Sequence, residues 1–223
     1  MQNFIPAELP EGQPLGNRAS RSVTRALEGR RAVYEDEVRR LLEASFALIR
    51  ETGCLEPRVS EIVGAAGLSN QSFYRHFRSK DELLLAVLDE GVAILAGYLS
   101  HRMEAEHTPE ARIRAWVAGV LEQALQPEAA AAARPFAVSR ARLAELFPAE
   151  VADSERRITG MLRDAIAEAE FPGSDPERDA ATLYDLAMGW VQRQLAGGKP
   201  ARRADAEHLT AFALNGLLHG AEG

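Results

Sequence analysis

Apolar side chains begin to recur at helical spacing from Val33, where Val38, Leu41, Leu42, Phe46, Leu48 and Ile49 fall every three or four positions. This predicts a first helix of about five turns, which Gly53 is placed to end. Two short amphipathic stretches follow, Val59–Ala66 and Asn70–Phe77, with Gly67-Leu68-Ser69 between them as a turn. Ser79 with Glu82 three positions on reads as a capping box, so a long fourth helix is expected from Lys80 through Leu83, Leu84, Val87, Leu88 and Ile94, fraying near Thr108-Pro109. Further helical stretches fit 109–126, 128–146 with a break near Pro135, 148–170, 175–196 and 202–219. Pro127, Pro148, Pro172-Gly173 and Gly197-Gly198-Lys199-Pro200 punctuate them. Nothing alternates with the period of a strand, aromatics are sparse and no internal repeat is visible, so the expected fold class is all-α.

Residues 1–32 break this pattern. They hold Pro6, Pro10, Pro14, Gly12 and Gly16 and show no sustained apolar period, which predicts a flexible basic tail. The organisation that follows is a tail at 1–32, a helix-turn-helix domain at 33–80 continuing into the helix that starts at Lys80, and a helical domain at 81–223.

Charge changes the picture by its distribution. The formal net charge of -7 argues against a polyanionic partner when taken alone. Residues 57–80, however, hold Arg58, Arg75, Arg78 and Lys80 against Glu61, and residues 1–32 hold Arg18, Arg21, Arg25, Arg30 and Arg31 against Glu8, Glu11 and Glu28. The acidic excess lies in residues 81–223, with 23 acidic and 14 basic side chains. A basic head on an acidic body is compatible with DNA binding, which needs a local basic surface only, and the tail arginines could serve as an arm toward DNA. A single cysteine, Cys54, cannot form an internal disulfide or a cysteine-based zinc site, which fits a reducing compartment. The opening residues lack a basic start followed by an apolar run, so neither secretion nor a membrane-spanning segment is expected.

Within residues 58–80, Ile62, Leu68, Phe73 and Phe77 are spaced to close a miniature core, and Gly67 permits the sharp turn. Ser69 is placed to cap the second short helix, so Asn70, Gln71 and Ser72 form its first turn, the part of such a helix that reaches base edges in a major groove. Tyr74, His76, Arg78 and Lys80 supply hydroxyl, imidazole and cationic donors suited to phosphates, and Arg75 could do either.

The run Ala-Ala-Gly-Leu-Ser-x-x-x-Phe-Tyr-Arg-His-Phe-x-Ser-Lys, residues 65–80, resembles the DNA-binding signature of the TetR family of regulators, and the resemblance covers about residues 36–90. It implies that Asn70, Gln71 and Ser72 face bases and that Tyr74, His76 and Lys80 contact phosphates, with Ser60 at a position of occasional contact. The family usually places Thr or Ser at the cap of the first short helix. Here Pro57-Arg58 stands instead, which assigns Arg58 to phosphate. The resemblance further implies a cytoplasmic homodimer on palindromic operator DNA, a repressor released by a small-molecule effector.

For the body it implies effector binding and dimerisation through the last two long helices. Leu183, Ala187, Trp190 and Val191 share one helical face, as do Leu209, Phe212, Ala213, Leu217 and Leu218, with Gly189 and Gly216 allowing close approach. Trp116, Phe136, Phe147, Met161, Tyr184, Met188 and Trp190 are candidates to line an apolar pocket, though each is more often core, and no effector-binding residue is assigned. A rival enzyme reading rests on Glu104-Ala-Glu-His107 and Asp205-Ala-Glu-His208, whose spacing puts two metal ligands on one helix face. Both pairs lie at expected helix ends, where solvated charge is the usual explanation. Signatures of nucleophilic, zinc and nucleotide chemistry are missing, so no catalytic residue, metal or cofactor is expected. A helical interaction module without DNA binding remains the other alternative.

Overall fold

The computed structural model describes residues 17–52, 57–197 and 201–219, excepting the side chains of residues 19, 132, 135–139 and 219. Every regular element among them is an α-helix: α1 Asn17–Thr52, α2 Val59–Ala66, α3 Asn70–His76, α4 Lys80–Glu104, α5 Pro109–Leu125, α6 Pro127–Leu146, α7 Pro148–Ala169, α8 Pro176–Ala196 and α9 Arg203–His219. The all-α expectation holds. The chain falls into two compact units, one ending at Arg40 and the other beginning at Leu41.

In the first unit the expected tail gives way to helix from Asn17 onward, so the flexible segment predicted for 1–32 is corrected for its second half. Residues 17–32 are rich in Arg and Ala, which propagate a helix without a buried face once a neighbouring segment has nucleated it. Local contacts add to this. Arg31 Nε donates to Glu35 at 2.6 Å, one turn on, and Arg21 Nε donates to the Asn17 carbonyl at 3.2 Å. Arg18, Arg21 and Arg25 fall along one face of this extension. The tail's prolines, Gly12, Gly16, Gly53 and Cys54 lie outside the described residues.

In the second unit the sequence boundaries are met closely. Pro109, Pro127, Pro148 and Pro176 each open a helix, where the missing N–H costs nothing and the fixed φ is already helical. One expectation fails: α6 runs unbroken past Pro135. A proline inside a helix removes one backbone bond, and the alanine-rich run before it keeps the remaining turns favourable.

The body is held by one large cluster drawn from α4, α5, α7, α8 and α9, with Leu99, Ile113, Leu121, Leu162 and Ala187 fully buried. Trp116 sits at 0% exposure and its indole N–H donates to the Ile158 carbonyl at 3.1 Å, so the largest core side chain also links α5 to α7. α4 and α5 approach closely at Gly119, where a Cβ would lie 2.6 Å from Leu99 Cδ2. A window of α4 reaches a mean hydropathy of 1.7, long and apolar enough to cross a membrane by length and composition. Its apolar side chains have a use inside the fold, since Leu83, Leu84, Val87, Ala96, Leu99 and Met103 are buried and others line a cavity.

Candidate DNA-binding surface and ligand cavity

The recognition motif is built by its turns. α2 lacks a side-chain cap from Arg58, whose guanidinium has no acceptor; the Glu61 carboxylate instead accepts the Arg58 backbone N–H at 2.6 Å. α2 ends at Gly67 in the left-handed region, φ 62 and ψ 35, where Leu68 N–H returns to the Val63 carbonyl at 2.8 Å and Gly67 N–H to the Gly64 carbonyl at 3.2 Å. That paired closure turns the chain sharply and favours glycine at its pivot. Ser69 then caps α3, accepting the Ser72 N–H at 3.1 Å. Phe73 is fully buried, with ring centroids 5.9 Å from Phe77 and 5.2 Å from Tyr74, and Ile62 is buried as well. α2 and α3 pack against each other over these side chains.

Around this small core Asn70, Gln71, Arg58, Ser60, Arg75 and Arg78 are exposed, Tyr74 is 61% exposed, and His76 and Lys80 are half-buried. Ser72 departs from the base-facing expectation. It is only 7% exposed, and its hydroxyl lies 3.2 Å from Ser69 Oγ and accepts from the Arg75 guanidinium at 3.2 Å. Two turns of helical geometry place it inward beside Phe73, with its hydroxyl between the cap residue Ser69 and Arg75.

Lys80 opens α4. Ser79 caps that helix by accepting the Glu82 N–H at 3.1 Å, while the Glu82 carboxylate reaches back to the Arg78 N–H, one residue before the expected partner. The residue after Lys80, Asp81, accepts from Arg142 of α6 at 2.8 Å, and farther along Asp89 accepts from Ser154 of α7 at 2.6 Å. Those pairs fasten α4 to the helices behind it.

The same helix walls a cavity of about 570 Å³, bordered also by side chains of α5, α6, α7 and α8. Much of its lining is apolar, including Leu88, Val92, Leu95, Val151, Ile158 and Val191. Two polar clusters interrupt it. In one, Arg102 donates to Glu122 and to the Tyr98 hydroxyl at 2.6 Å each, Tyr98 donates to Glu122, and the Arg102 guanidinium lies 5.5 Å from the Tyr98 ring centroid. In the other, Arg140 Nε donates to Glu155 at 2.7 Å, and the Tyr184 hydroxyl interacts with both. Burial first, and then the Glu155 charge, push the Tyr184 hydroxyl well above the ordinary tyrosine range. Burial also leads the upward shift of Tyr98. For Arg140, burial opposes the charge, but Glu155 and Tyr184 outweigh it and hold the guanidinium protonated.

Of the pocket candidates, Tyr184 and Met188 line this cavity. Trp116 and Trp190 are core, Met161 packs against the core and the Phe136 side chain lies outside the described residues. Tyr98, Arg102, Glu122, Arg140 and Glu155 escaped the sequence reading. Arg102 at i+4 from Tyr98 was the one available signal, and it looks like any surface pair.

The dimer face is also redrawn. Leu183, Ala187, Trp190, Val191, Leu209, Ala213 and Leu217 are buried within the chain itself, so the shared apolar stripes are core stripes. Phe212 and Leu218 stay 64% and 49% exposed, on an outward face of α9 that continues through Ala204, Ala211 and Asn215. A Cβ at Gly216 would meet nothing within 4 Å, which leaves that face open to close approach. Asp205 is held by Arg202 at 2.8 and 2.9 Å and Glu104 by Ser100 at 2.9 Å; among the described residues no group of three metal-ligating side chains occurs.

Comparison with known proteins adds to this geometry. A family model described as bacterial regulatory proteins, tetR family, matches residues 41–87. The HTH-type transcriptional regulator BetI of Serratia proteamaculans (strain 568) is 31% identical over 81 residues, which span 35% of this chain and 41% of that relative. A TetR transcription regulator from Haloarcula marismortui shares the fold at a TM-score of 0.66 and 20% identity, over 82% of this chain and 98% of that one. FadR from Bacillus subtilis, solved in complex with stearoyl-CoA, aligns at a TM-score of 0.61 and 15% identity, over 81% of this chain and 97% of that one.

Proposed function

We propose, on the premise that residues 41–87 make this chain a member of the TetR family of bacterial regulatory proteins, that it is a cytoplasmic, sequence-specific DNA-binding transcriptional regulator, a homodimeric repressor released by a small-molecule effector. The observation that carries the reading is the first turn of α3. Asn70 and Gln71 stand exposed behind a capped, left-handed turn, and hydroxyl and cationic side chains surround them. In this reading Asn70 and Gln71 read base edges, while Tyr74, His76, Lys80, Arg58 and Arg78 fix the register on phosphates and Ser72 acts through Arg75.

The partner copy docks on the outward face of α8 and α9 that carries Phe212 and Leu218. A twofold axis there sets two recognition helices on successive major grooves about 34–36 Å apart, or a multiple, which calls for a palindromic operator. An occupied cavity acts through α4, because Lys80 at its start and Tyr98 at the cavity lie on one helix. α6 offers a second route, since it places Arg140 at the cavity and Arg142 on Asp81. A ligand shifts the equilibrium only by binding the released conformer more tightly than the DNA-bound one. The stearoyl-CoA complex of the similarly folded FadR supports a body of this architecture as a ligand receptor.

The test is binding of the purified chain to DNA from upstream of its own gene across a series of salt concentrations. Tight, saturable binding is expected, falling linearly in log–log form with salt, with Lys80→Ala reducing the slope by about 1. Binding no tighter than to random DNA, unaltered by Lys80→Ala, overturns the reading.

A further inference from the structure

We propose that the body cavity takes an uncharged, predominantly apolar small molecule, and that the two Arg–Glu–Tyr clusters in its wall exclude ionised ones. This rests on the effector reading above. At about 570 Å³ the cavity is of a size that encloses a whole small ligand, and its wall is largely alkyl and aromatic.

The charges decide the class. Among the described lining residues the ionised side chains are Glu122, Glu155 and Arg140. Each is already matched: Glu155 by Arg140 at 2.7 Å, and Glu122 by Arg102 at 2.6 Å. Each carboxylate also has a tyrosine hydroxyl beside it, Tyr184 in one cluster and Tyr98 in the other. Both clusters are therefore neutral as units. A ligand carboxylate at Arg140 competes with Glu155 for the guanidinium, and a ligand ammonium at Glu155 competes with Arg140 for the carboxylate. Either exchange strands a half-buried charge, and a ligand that makes neither and seats its charge among the apolar side chains carries that charge unpaired. A neutral molecule meets no such cost. Gln126 and Gln192 of the lining carry side-chain amides that both donate and accept, the right equipment for a hydroxyl, ester or ketone. The raised Tyr184 keeps its proton at all physiological pH, so it adds no anionic form that would alter the balance.

The experiment is calorimetric titration of the full chain, without DNA, at neutral pH. The probes are 1-decanol, decanoate and decylamine, with methyl 2-naphthoate and 2-naphthoate as a compact aromatic pair. At least one neutral probe is expected to bind at least tenfold more tightly than its ionised counterpart. Glu155→Gln, which leaves Arg140 without its carboxylate, shifts the acid-to-neutral affinity ratio at least tenfold toward the acid, and Glu122→Gln shifts it the same way through Arg102. Thermal melts confirm that both variants fold, and either one suffices for the comparison. Tighter binding of an ionised probe by the unaltered chain, an unchanged ratio in a folded variant, or no binding of any neutral probe overturns the proposal. Adding a bound neutral probe to the chain on its operator, as a separate measurement, distinguishes the two readings: an unchanged operator affinity sinks the effector reading and leaves the ligand class standing.

Discussion

In the α2–α3 motif Asn70, Gln71, Tyr74 and Arg58 stand in solvent around a handful of apolar side chains, whereas at the body's cavity Arg140, Glu155 and Tyr184 pair with one another and Glu122 pairs with Arg102 and Tyr98. In the proposed function the first arrangement leaves its polar groups for DNA, and the second satisfies them internally and leaves the apolar wall for a ligand. The scale differs too: the motif is two short helices closed by Phe73 and Phe77, and the body is a five-helix cluster around Trp116. In the proposed function the body therefore carries most of the stability and the motif most of the recognition, a division that can be broken experimentally.

The largest effect is expected from Trp116→Ala. Removing a fully buried indole leaves a void and breaks the bond that links α5 to the Ile158 carbonyl, for a loss of about 3–5 kcal/mol in urea unfolding. A loss below about 1 kcal/mol would show that the body is not the stable half. Next comes a contrast inside one turn of α3. Asn70→Ala is expected to relax discrimination at one operator base pair by about 1–3 kcal/mol, measured by competition among operator variants. Ser72→Ala, buried beside Phe73, should weaken all sequences alike by loosening Arg75. Loss of base discrimination in Ser72→Ala would return that hydroxyl to the groove.

Gly67→Ala is a smaller change but acts on the turn that aims α3. Its left-handed backbone costs an alanine about 1–2 kcal/mol, visible as a lowered melting temperature, and weaker operator binding should accompany it. Unchanged stability would mean that the turn relaxes to another conformation without penalty.

How much of this could be seen in the sequence follows from the range of the interactions. The motif was legible down to single residues because each signal is local: Gly67 makes the turn, Ser69 caps three residues on, and Phe73 and Phe77 share a face. Helix ends in the body were legible for the same reason, through prolines at first positions. The cavity was not, since Glu122 and Arg102 are 20 residues apart and Arg140 and Glu155 are 15 apart, and each looks like surface charge in its own helix. Apolar periodicity marks buried faces but does not say what buries them, so the stripes that carry Trp190 and Leu217 fit a dimer face in the sequence and are core in the structure. Residues 17–32 erred the other way, for helix propensity there needs no apolar period.

The smallest effect is confined to alkaline solution and separates the two regions by chemistry. Tyr98 and Tyr184, both at the cavity, have hydroxyls raised above the ordinary tyrosine value of about 10, chiefly by burial. A tyrosine raised in the folded state favours folding while it is neutral in both states. That contribution is complete below about pH 10 and declines as the unfolded chain begins to ionise above it, until the folded hydroxyl also gives up its proton. Unfolding free energy set by these groups should thus be flat from neutral pH to about pH 9 and fall beyond it. Tyr184→Phe should make the alkaline fall shallower, even though it also lowers stability at neutral pH by removing the hydroxyl's contacts with Arg140 and Glu155. An alkaline slope identical in Tyr184→Phe and the unaltered chain would mean that water reaches this hydroxyl freely, and the neutral cluster would then lose its claim to govern what enters the cavity.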